Sequence, residues 1–264
     1  MKTNILLLAT MLLVIASCKK ENVGPVSGGE NLTKVIFTIP ATNIISTGHY
    51  IYNNQGQLTS IIGANDAIGN TDTTWSLFTY DAAGHLSSFL VTNNTTGNQY
   101  QFDFTSDAKG RLLSFAAIAM QPNMLVNDCK FVYDIQGRII SDSLFTKSGD
   151  LSGYSVLEYD NNGNIAAFQD FVVVGSTVST QGKFTYQYDN KRSPYDKIGK
   201  LLFQIAPNAN SYFYLTKNNT TVAMLNGVPI TPGGRYVYEY YNNNLLHVQK
   251  VNVSNSAIQE FFYD

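Results

Sequence analysis

The sequence predicts an all-β protein, built as one antiparallel meander of about 14 to 18 strands. A short unit, aromatic-x-Tyr-Asp-x-x-Gly-x-Leu, recurs along the chain. No segment after Cys18 has the apolar period of an amphipathic helix of about ten or more residues. The glycines of the unit recur about every 27 residues, at Gly56, Gly84, Gly110, Gly137 and Gly163.

The copies of this unit differ in completeness. Phe78–Leu86 matches it at every position, and the copy that begins at Phe102 looks two residues longer than the others. Two copies carry Ile in place of Leu, Phe131–Ile139 and Leu157–Ile165. Tyr50–Leu58 carries Asn in place of Asp, and Tyr238–Leu246 is degenerate. A further copy begins at Phe261 and reaches Asp264, the end of the sequence.

The residue types of the unit specify a β-hairpin. An Asp or Asn side chain at the first turn position caps local amides, and Gly at the fourth position accepts a positive φ. Together they predict a type I turn closed by a glycine bulge. Before the turn, Phe78 and Tyr80 share one face of the strand and Thr79 the other. Successive hairpins should pair in order, and so many strands should curl into a barrel-like or half-barrel sheet or split into two layers. We expect one domain over residues 31–264.

The first residues form an export signal. A short basic segment, an apolar run from Ile5 to Ile15 and the small residues Ala16 and Ser17 precede Cys18. The run is shorter than the roughly 20 residues that span a bilayer. Val14–Cys18 resembles a bacterial lipobox, which implies cleavage after residue 17 and a lipid on Cys18. The alternative is an ordinary signal that ends at a chance Cys.

The segment that follows predicts how the mature protein is held. Residues 18–30 contain Gly, Pro, Ser and charges without an apolar period, which is typical of a flexible tether. The Lys19-Lys20-Glu21 run is similar to a signal that sends lipoproteins of Bacteroidetes-type bacteria to the cell surface. We therefore expect an exported outer-membrane lipoprotein, either periplasmic or displayed at the surface, anchored to the membrane through Cys18.

The repeat resembles the YD repeats of Rhs-type and teneurin-like proteins. It is closer in length and setting to Bacteroidetes-type lipoproteins of unknown function that are described as porin-like. The resemblance covers about residues 45–264 and implies a hairpin-repeat fold, but it implies no activity. An integral porin needs a continuous apolar band facing lipid, and the mixed faces of strands such as 84–92 argue against one.

Composition excludes several classes of function. Charged residues make up 14% of the chain and the net charge is −2, without a basic stripe, which disfavours nucleic-acid binding. If Cys18 carries lipid, Cys129 has no partner for a disulfide and should be a buried, unreactive thiol. We expect a monomer.

No catalytic or metal-binding pattern stands out, so we expect no cofactor, no metal and no enzymatic activity. The three histidines lie far apart and lack the spacing of a zinc site: His49, His85 and His247. A glycosidase would need two carboxylates at a set separation. Three glutamates should lie on the face opposite the aromatic pairs, and none of them is singled out as half of such a pair: Glu158, Glu239 and Glu260.

Two features are candidates for ligand binding. Trp75 is the only Trp and lies among polar residues. The regular turn expands after Asp189 into a longer loop over residues 190–197 that contains Tyr195, and long loops in regular arrays often bind ligands. The leading hypothesis is a lipid-anchored binding module for a glycan, a peptide or an envelope partner. The alternatives are a purely structural envelope protein and a hydrolase with an unrecognised site.

Overall fold

The computed structural model describes residues 31–42, 44–65, 72–93, 96–120, 123–205, 212–230, 236–251 and 257–264. The predicted signal segment 1–17 and the tether 18–30, with Cys18, lie outside the described residues. The predictions of cleavage, lipidation and anchoring therefore stay predictions.

Strands dominate the described residues. The described residues also contain one α-helix, α1 (Gly199–Ile205), and two 3-10 helices (Pro40–Thr42 and Tyr212–Leu215). The strands are β1 (Leu32–Ile39), β2 (Ile44–Tyr52), β3 (Leu58–Asn65), β4 (Asp72–Tyr80), β5 (Leu86–Asn93), β6 (Gln99–Ser106), β7 (Leu112–Met120), β8 (Asn123–Tyr133), β9 (Ile139–Thr146), β10 (Leu151–Tyr159), β11 (Ile165–Val174), β12 (Thr177–Arg192), β13 (Asn218–Leu225), β14 (Val228–Pro229), β15 (Tyr236–Tyr240), β16 (Leu246–Val251) and β17 (Ile258–Tyr263).

All 17 strands belong to one antiparallel sheet. Strands β2 to β14 pair in sequence order, and so do β15, β16 and β17. β1 lies between β2 and β17, which joins the two runs. Within the described residues, no backbone ladder joins β14 to β15, so the sheet is a curled half-barrel with these strands at its edges. This confirms the predicted all-β meander and its strand number.

The turns have the predicted chemistry. In the complete copy, the Gly84 amide donates to the Asp81 carbonyl at 3.0 Å, and the Asp81 amide donates to the His85 carbonyl at 2.8 Å. Asp81 Oδ1 accepts the amides of Ala83 and His85 at 2.9 and 2.8 Å. Gly84 has φ of +84°, which a side chain would strain. A carboxylate cap and a glycine thus close this hairpin, and the same pair closes those at Asp107, Asp134 and Asp160.

Pairing corrects the interpretation of one copy. Ser106 pairs with Leu112 as Tyr80 pairs with Leu86. The copy that ends at Leu112 therefore has the regular length, with Ser106 in the tyrosine position. The degenerate copy also closes a regular turn, because Asn244 adopts φ of +65° in the glycine position.

In five copies among the described residues, the tyrosine of the unit braces its hairpin against the one before it. The Tyr80 hydroxyl donates to the Leu58 carbonyl at 2.7 Å, and Leu58 is the leucine of the preceding copy. We call this contact the tyrosine brace. It recurs at 2.6 to 2.9 Å in four further places, from Tyr52 to Leu32, Tyr133 to Leu112, Tyr159 to Ile139 and Tyr188 to Ile165.

The first and last strands complete one split copy of the unit. Tyr263 pairs with Leu32 across a bulge, in the register of Tyr80 and Leu86. The Asp264 amide donates to the Asn31 carbonyl, and Asp264 Oδ1 accepts the Asn31 amide at 3.2 Å. These are the contacts of a regular turn without its covalent link. The return strand of the copy that begins at Phe261 is therefore β1, about 230 residues earlier in the sequence.

The concave face of the sheet holds the core. Phenylalanine rings form a continuous row across β4 to β8, with centroids 4.7 to 6.2 Å apart, at Phe78, Phe89, Phe102, Phe115 and Phe131. The convex face carries ion pairs such as Lys183–Glu158 at 2.7 Å and Lys250–Glu239. Glu158 and Glu239 therefore lie opposite the aromatic face, as predicted.

The expanded loop fills the concave side. Leu202 and Phe203 of α1 are fully buried, and Ile198 and Tyr214 nearly so. Gly199 is required here because a Cβ atom would collide with the Tyr214 carbonyl oxygen. We call residues 193–216 the insert. The predicted longer loop thus continues into α1, and the described side chains Ile198, Leu202, Phe203 and Tyr214 of the insert belong to the core.

Candidate functional site: a cavity at the seam of the sheet

The insert interrupts a regular turn without removing its cap. Asp189 Oδ1 accepts the Lys191 amide at 2.9 Å and the Asn219 amide at 3.1 Å. Asn219 follows Asp189 by 30 residues, where the corresponding residue of a regular turn follows its Asp by 4. Tyr188 then pairs with Thr220 as Tyr80 pairs with Leu86. β12 and β13 are thus a normal hairpin with the insert placed in its turn.

The next junction, between β13 and β15, is the seam of the sheet. Tyr240 pairs with Leu246 and so occupies the tyrosine position of its copy. The brace to the Thr220 carbonyl is made by Tyr238, two residues earlier, while the Tyr240 hydroxyl donates to the Asp189 carboxylate. This two-residue displacement of β15 accounts for the missing ladder. Side chains rather than backbone amides bridge the seam.

A cavity of about 200 Å³ lies at the seam. Thr220 of β13 lines one side and Ser193 and Tyr195 of the insert another. The remaining wall is a row of directly opposed residues on four adjacent strands: Tyr238, Gln249, Gln259 and Phe37. We call this space the seam cavity.

Thr220, in the cavity wall, differs in residue type from the residues that other copies of the unit carry at its position. The other copies place a buried Leu or Ile in this position, such as Leu58, Leu86 and Ile165. Thr220 is also buried, at 6% exposure, and its hydroxyl has no hydrogen-bond partner among the described residues. A buried hydroxyl without a partner costs about 1–3 kcal/mol.

Gln249 departs from the repeat in the same cavity. It is the third residue after Leu246, a position that packs on the concave face. In other copies the third residue after the Leu or Ile is Ile61, Phe89, Phe115 or Phe168, all of them buried. Three core positions of the repeat therefore carry polar residues, Thr220, Gln249 and Asp142, and the first two line the seam cavity.

The described residues that line the seam cavity are all uncharged. They provide amides from Asn and Gln, hydroxyls from Ser, Thr and Tyr, and apolar surface from Phe37 and Pro194. The nearby Asp189 carboxylate already accepts hydrogen bonds from Lys191, Asn219 and Tyr240. The arrangement suits an uncharged ligand with both donors and acceptors.

The structure separates the two residues predicted to bind a ligand. Tyr195 lines the seam cavity but is 6% exposed, with its ring edge-on to Tyr214 and Phe261 at 4.9 and 5.9 Å. Burial raises its pKa well above the ordinary value, so the hydroxyl stays protonated. Trp75 pairs through its backbone with Ile62 and Thr92, and its side chain lies outside the described residues.

Other candidate groups are distributed across the sheet. His85 lies at a turn, with Nδ1 3.4 Å from the Asp81 carboxylate. Cys129 is fully buried, as predicted, and burial raises its thiol pKa well above the ordinary value. Within the described ranges, no group of three or more His, Cys, Asp or Glu side chains is placed to hold a metal ion. None of the helices in those ranges is long and apolar enough to cross a bilayer.

Sequence reasoning missed one polar cluster, on β9 to β11. Ser155 donates to Asp142 Oδ1 at 3.1 Å and contacts Asp170 Oδ1 at 2.8 Å. Asp142 is 1% exposed, and its Oδ2 has no partner among the described residues. Burial raises the pKa of Asp142 to about 7, although the Ser155 hydrogen bond lowers it. Asp142 follows Ile139 by three residues, so the available signal was a charged residue in a core position of the repeat.

Comparison with known proteins shows the fold alone. No protein-family model matches the chain, and no curated protein matches it. A porin-like protein from Bacteroides uniformis is 13% identical, with a TM-score of 0.57 over 88% of this chain and 98% of that one. A porin-like protein from Bacteroides vulgatus is 10% identical, with a TM-score of 0.39 over 89% of this chain and 98% of that one.

A toxin structure also resembles part of this fold. The Photorhabdus luminescens Tc holotoxin pore is 13% identical, with a TM-score of 0.21 over 80% of this chain. The chain spans 12% of that protein.

The buried carboxyl of Asp142 predicts a pH dependence of stability. Below about pH 4 the group is protonated in both folded and unfolded chains, and its ionisation costs nothing. Between about pH 4 and 7 the unfolded chain loses this proton while the folded chain keeps it, so stability falls. Asp142→Asn keeps an oxygen that can accept from Ser155 and removes the ionisation. We expect it to raise the free energy of unfolding by about 2–4 kcal/mol near pH 8 and to change it little near pH 4.

Urea unfolding at both pH values measures this effect. Asp103→Asn on β6 is the matched control, since Asp103 is exposed. A stability difference between Asp142→Asn and wild type that is the same at both pH values would contradict the assignment.

Proposed function

We propose that the protein is a non-enzymatic, lipid-anchored module of the cell envelope that binds its ligand in the seam cavity. The ligand is a glycan, a peptide or an envelope partner. The observation that carries the proposal is the placement of Thr220 and Gln249. These two residues replace apolar core residues of the repeat, and both replacements line one cavity.

Three features of the chain support the envelope setting. The segment that ends at Cys18 has the form of a lipoprotein signal. Asn31 pairs with Asp264 in the split turn, so a tether over residues 18–30 leaves the sheet at the rim that carries the Asp-x-x-Gly turns. The repeat is similar to the YD repeats of Bacteroidetes-type lipoproteins, and on this basis we place the chain in that group, at the outer membrane.

A purely structural role is the first alternative, and the seam cavity argues against it. A protein that served only as a scaffold would gain stability from Leu and Phe at positions 220 and 249. Natural proteins commonly accept lower stability where a residue serves function.

A hydrolase is the second alternative, favoured by the two carboxylates that meet at Ser155. Asp142 is 1% exposed, so a substrate reaches it only if the sheet opens. Glycosidases place their acid and base beside a substrate cleft, with room for the sugar and water. The carboxylates of Asp142 and Asp170 are not among the residues that line the seam cavity. A binding function therefore fits the geometry better.

If Thr220 and Gln249 serve a ligand, restoring the repeat residues should stabilise the empty protein. We expect Thr220→Leu and Gln249→Phe each to raise the free energy of unfolding by about 0.5–2 kcal/mol, because the new side chains fill the cavity and remove polar groups from it. Urea unfolding measures this change, with Thr79→Leu on the convex face as the control. A loss of stability in both cavity variants would show that the polar groups serve the fold.

The lipid anchor has its own test. Cys18→Ala removes the only sulfur available for lipidation at the predicted cleavage site, while the β-domain begins beyond residue 30. We expect the variant to fold and to move from the membrane fraction to the soluble fraction, because a single residue carries the attachment. Cys129→Ala is the control and should stay with the membranes. Cys18→Ala protein that still sediments with membranes after a high-salt wash would contradict the anchor.

A further inference from the structure

We propose that the seam cavity binds a single uncharged sugar ring, the terminal or accessible unit of a neutral glycan. This inference rests on the proposed binding function and names the ligand class for the same site. It is carried by the size of the cavity, by its uncharged lining and by the side chain of Thr220.

The size of the seam cavity limits the ligand. About 200 Å³ corresponds to the space of six or seven liquid waters at roughly 30 Å³ each. Pockets for drug-sized molecules usually measure about 300–1,000 Å³. One six-membered ring with its hydroxyls fits this space, and because the cavity opens to solvent, a longer ligand would place one such unit in it.

The chemistry of the lining selects an uncharged polyol. The cavity presents Gln249 and Gln259, whose amides both donate and accept, beside the polar residues Ser193, Asn219 and Thr220. Sugar hydroxyls also donate and accept, so they can satisfy such a mixed set. A carboxylate or phosphate would lose its hydration without meeting a cation among the described residues that line the cavity, which is costly.

Aromatic rings supply the apolar part of the site. Tyr236 and Tyr238 lie two residues apart on β15 with their rings stacked, 6.3 Å between centroids, and both line the cavity. Phe37 lies at the far end of the same wall. The C–H face of a sugar ring is apolar and packs against the negative face of an aromatic ring. One wall therefore carries aromatic rings at its two ends and the Gln249 and Gln259 amides between them, which offers a sugar ring both apolar and polar contacts.

Thr220 gives the site an unsatisfied group. Its hydroxyl is buried and has no partner among the described residues, and Thr220 lines the cavity from a position that is Leu or Ile in the other copies. Rotation of this side chain toward the cavity would let a ligand hydroxyl pair with it and remove that cost. Gln249 lies between Tyr238 and Gln259 in the row of residues that forms the cavity wall, and it supplies a second polar contact.

The test uses a panel of methyl glycosides of glucose, galactose, mannose and N-acetylglucosamine. Their binding to the β-domain is measured by saturation-transfer NMR and titration calorimetry. We expect at least one to bind, and Thr220→Leu and Gln249→Phe each to weaken that binding at least about tenfold. Thr79→Leu on the convex face should leave it unchanged. Since the cavity variants restore the repeat residues, unfolding curves will show that they remain folded.

Two further probe sets separate this inference from the proposed function. Methyl glucuronide and galacturonide test charged sugars, and blocked dipeptides test peptide ligands. Binding of one of these that Thr220→Leu abolishes, without binding of any neutral glycoside, overturns the sugar assignment and leaves the cavity as a binding site. Binding of a neutral glycoside that both cavity variants leave intact overturns the site. No binding by any of the probes overturns the sugar inference and removes this support for the proposed function.

Discussion

The tyrosine brace is the contact on which the rest of the structure depends. An Asp-x-x-Gly turn closes one hairpin, but it does not decide how that hairpin sits on the next. The hydroxyl of each braced tyrosine donates to the carbonyl of the preceding leucine or isoleucine, 20 to 23 residues earlier. Because the donor lies at the end of one strand and the acceptor at the start of another, this contact fixes the register between repeats. Five copies repeat this contact along the sheet, and each time it holds one hairpin against the one before it.

The same constraint explains where the sheet fails to close. Tyr263 and Leu32 reproduce the pairing of a regular copy, so the two ends of the described chain join without a linker. At the seam, Tyr238 makes the brace that Tyr240 would make in a regular copy. The strand is displaced by two residues, the backbone ladder is lost, and the insert packs beside the gap. The cavity is therefore the space left by one irregular brace.

Much of this fold was predictable from the sequence, since the unit contains its own turn and its own face pattern. Asp81 and Gly84 specify a turn through local contacts, and Phe78 and Tyr80 share a face because strands alternate. The split copy was not predictable, since nothing in the sequence around Asn31 shows that it completes Asp264. Tyr195 was selected as a loop residue, but the apolar residues of the insert bury it in the core. The polar residues Thr220 and Gln249 became significant only when the register placed them in positions that other copies fill with Leu, Ile or Phe.

The most direct measurement is the stability of Tyr80→Phe against Tyr154→Phe by urea unfolding. Tyr80 donates to Leu58 from a partly buried position, and burial raises its pKa to about 12, so the donor proton is present at neutral pH. Tyr154 stacks on Phe171 at 4.5 Å and makes no such brace. Loss of the brace leaves the Leu58 carbonyl without this donor, and a reduction of about 1–2 kcal/mol is expected for Tyr80→Phe alone. Equal stabilities in the two variants would mean that the tyrosine hydroxyls do not organise the repeat.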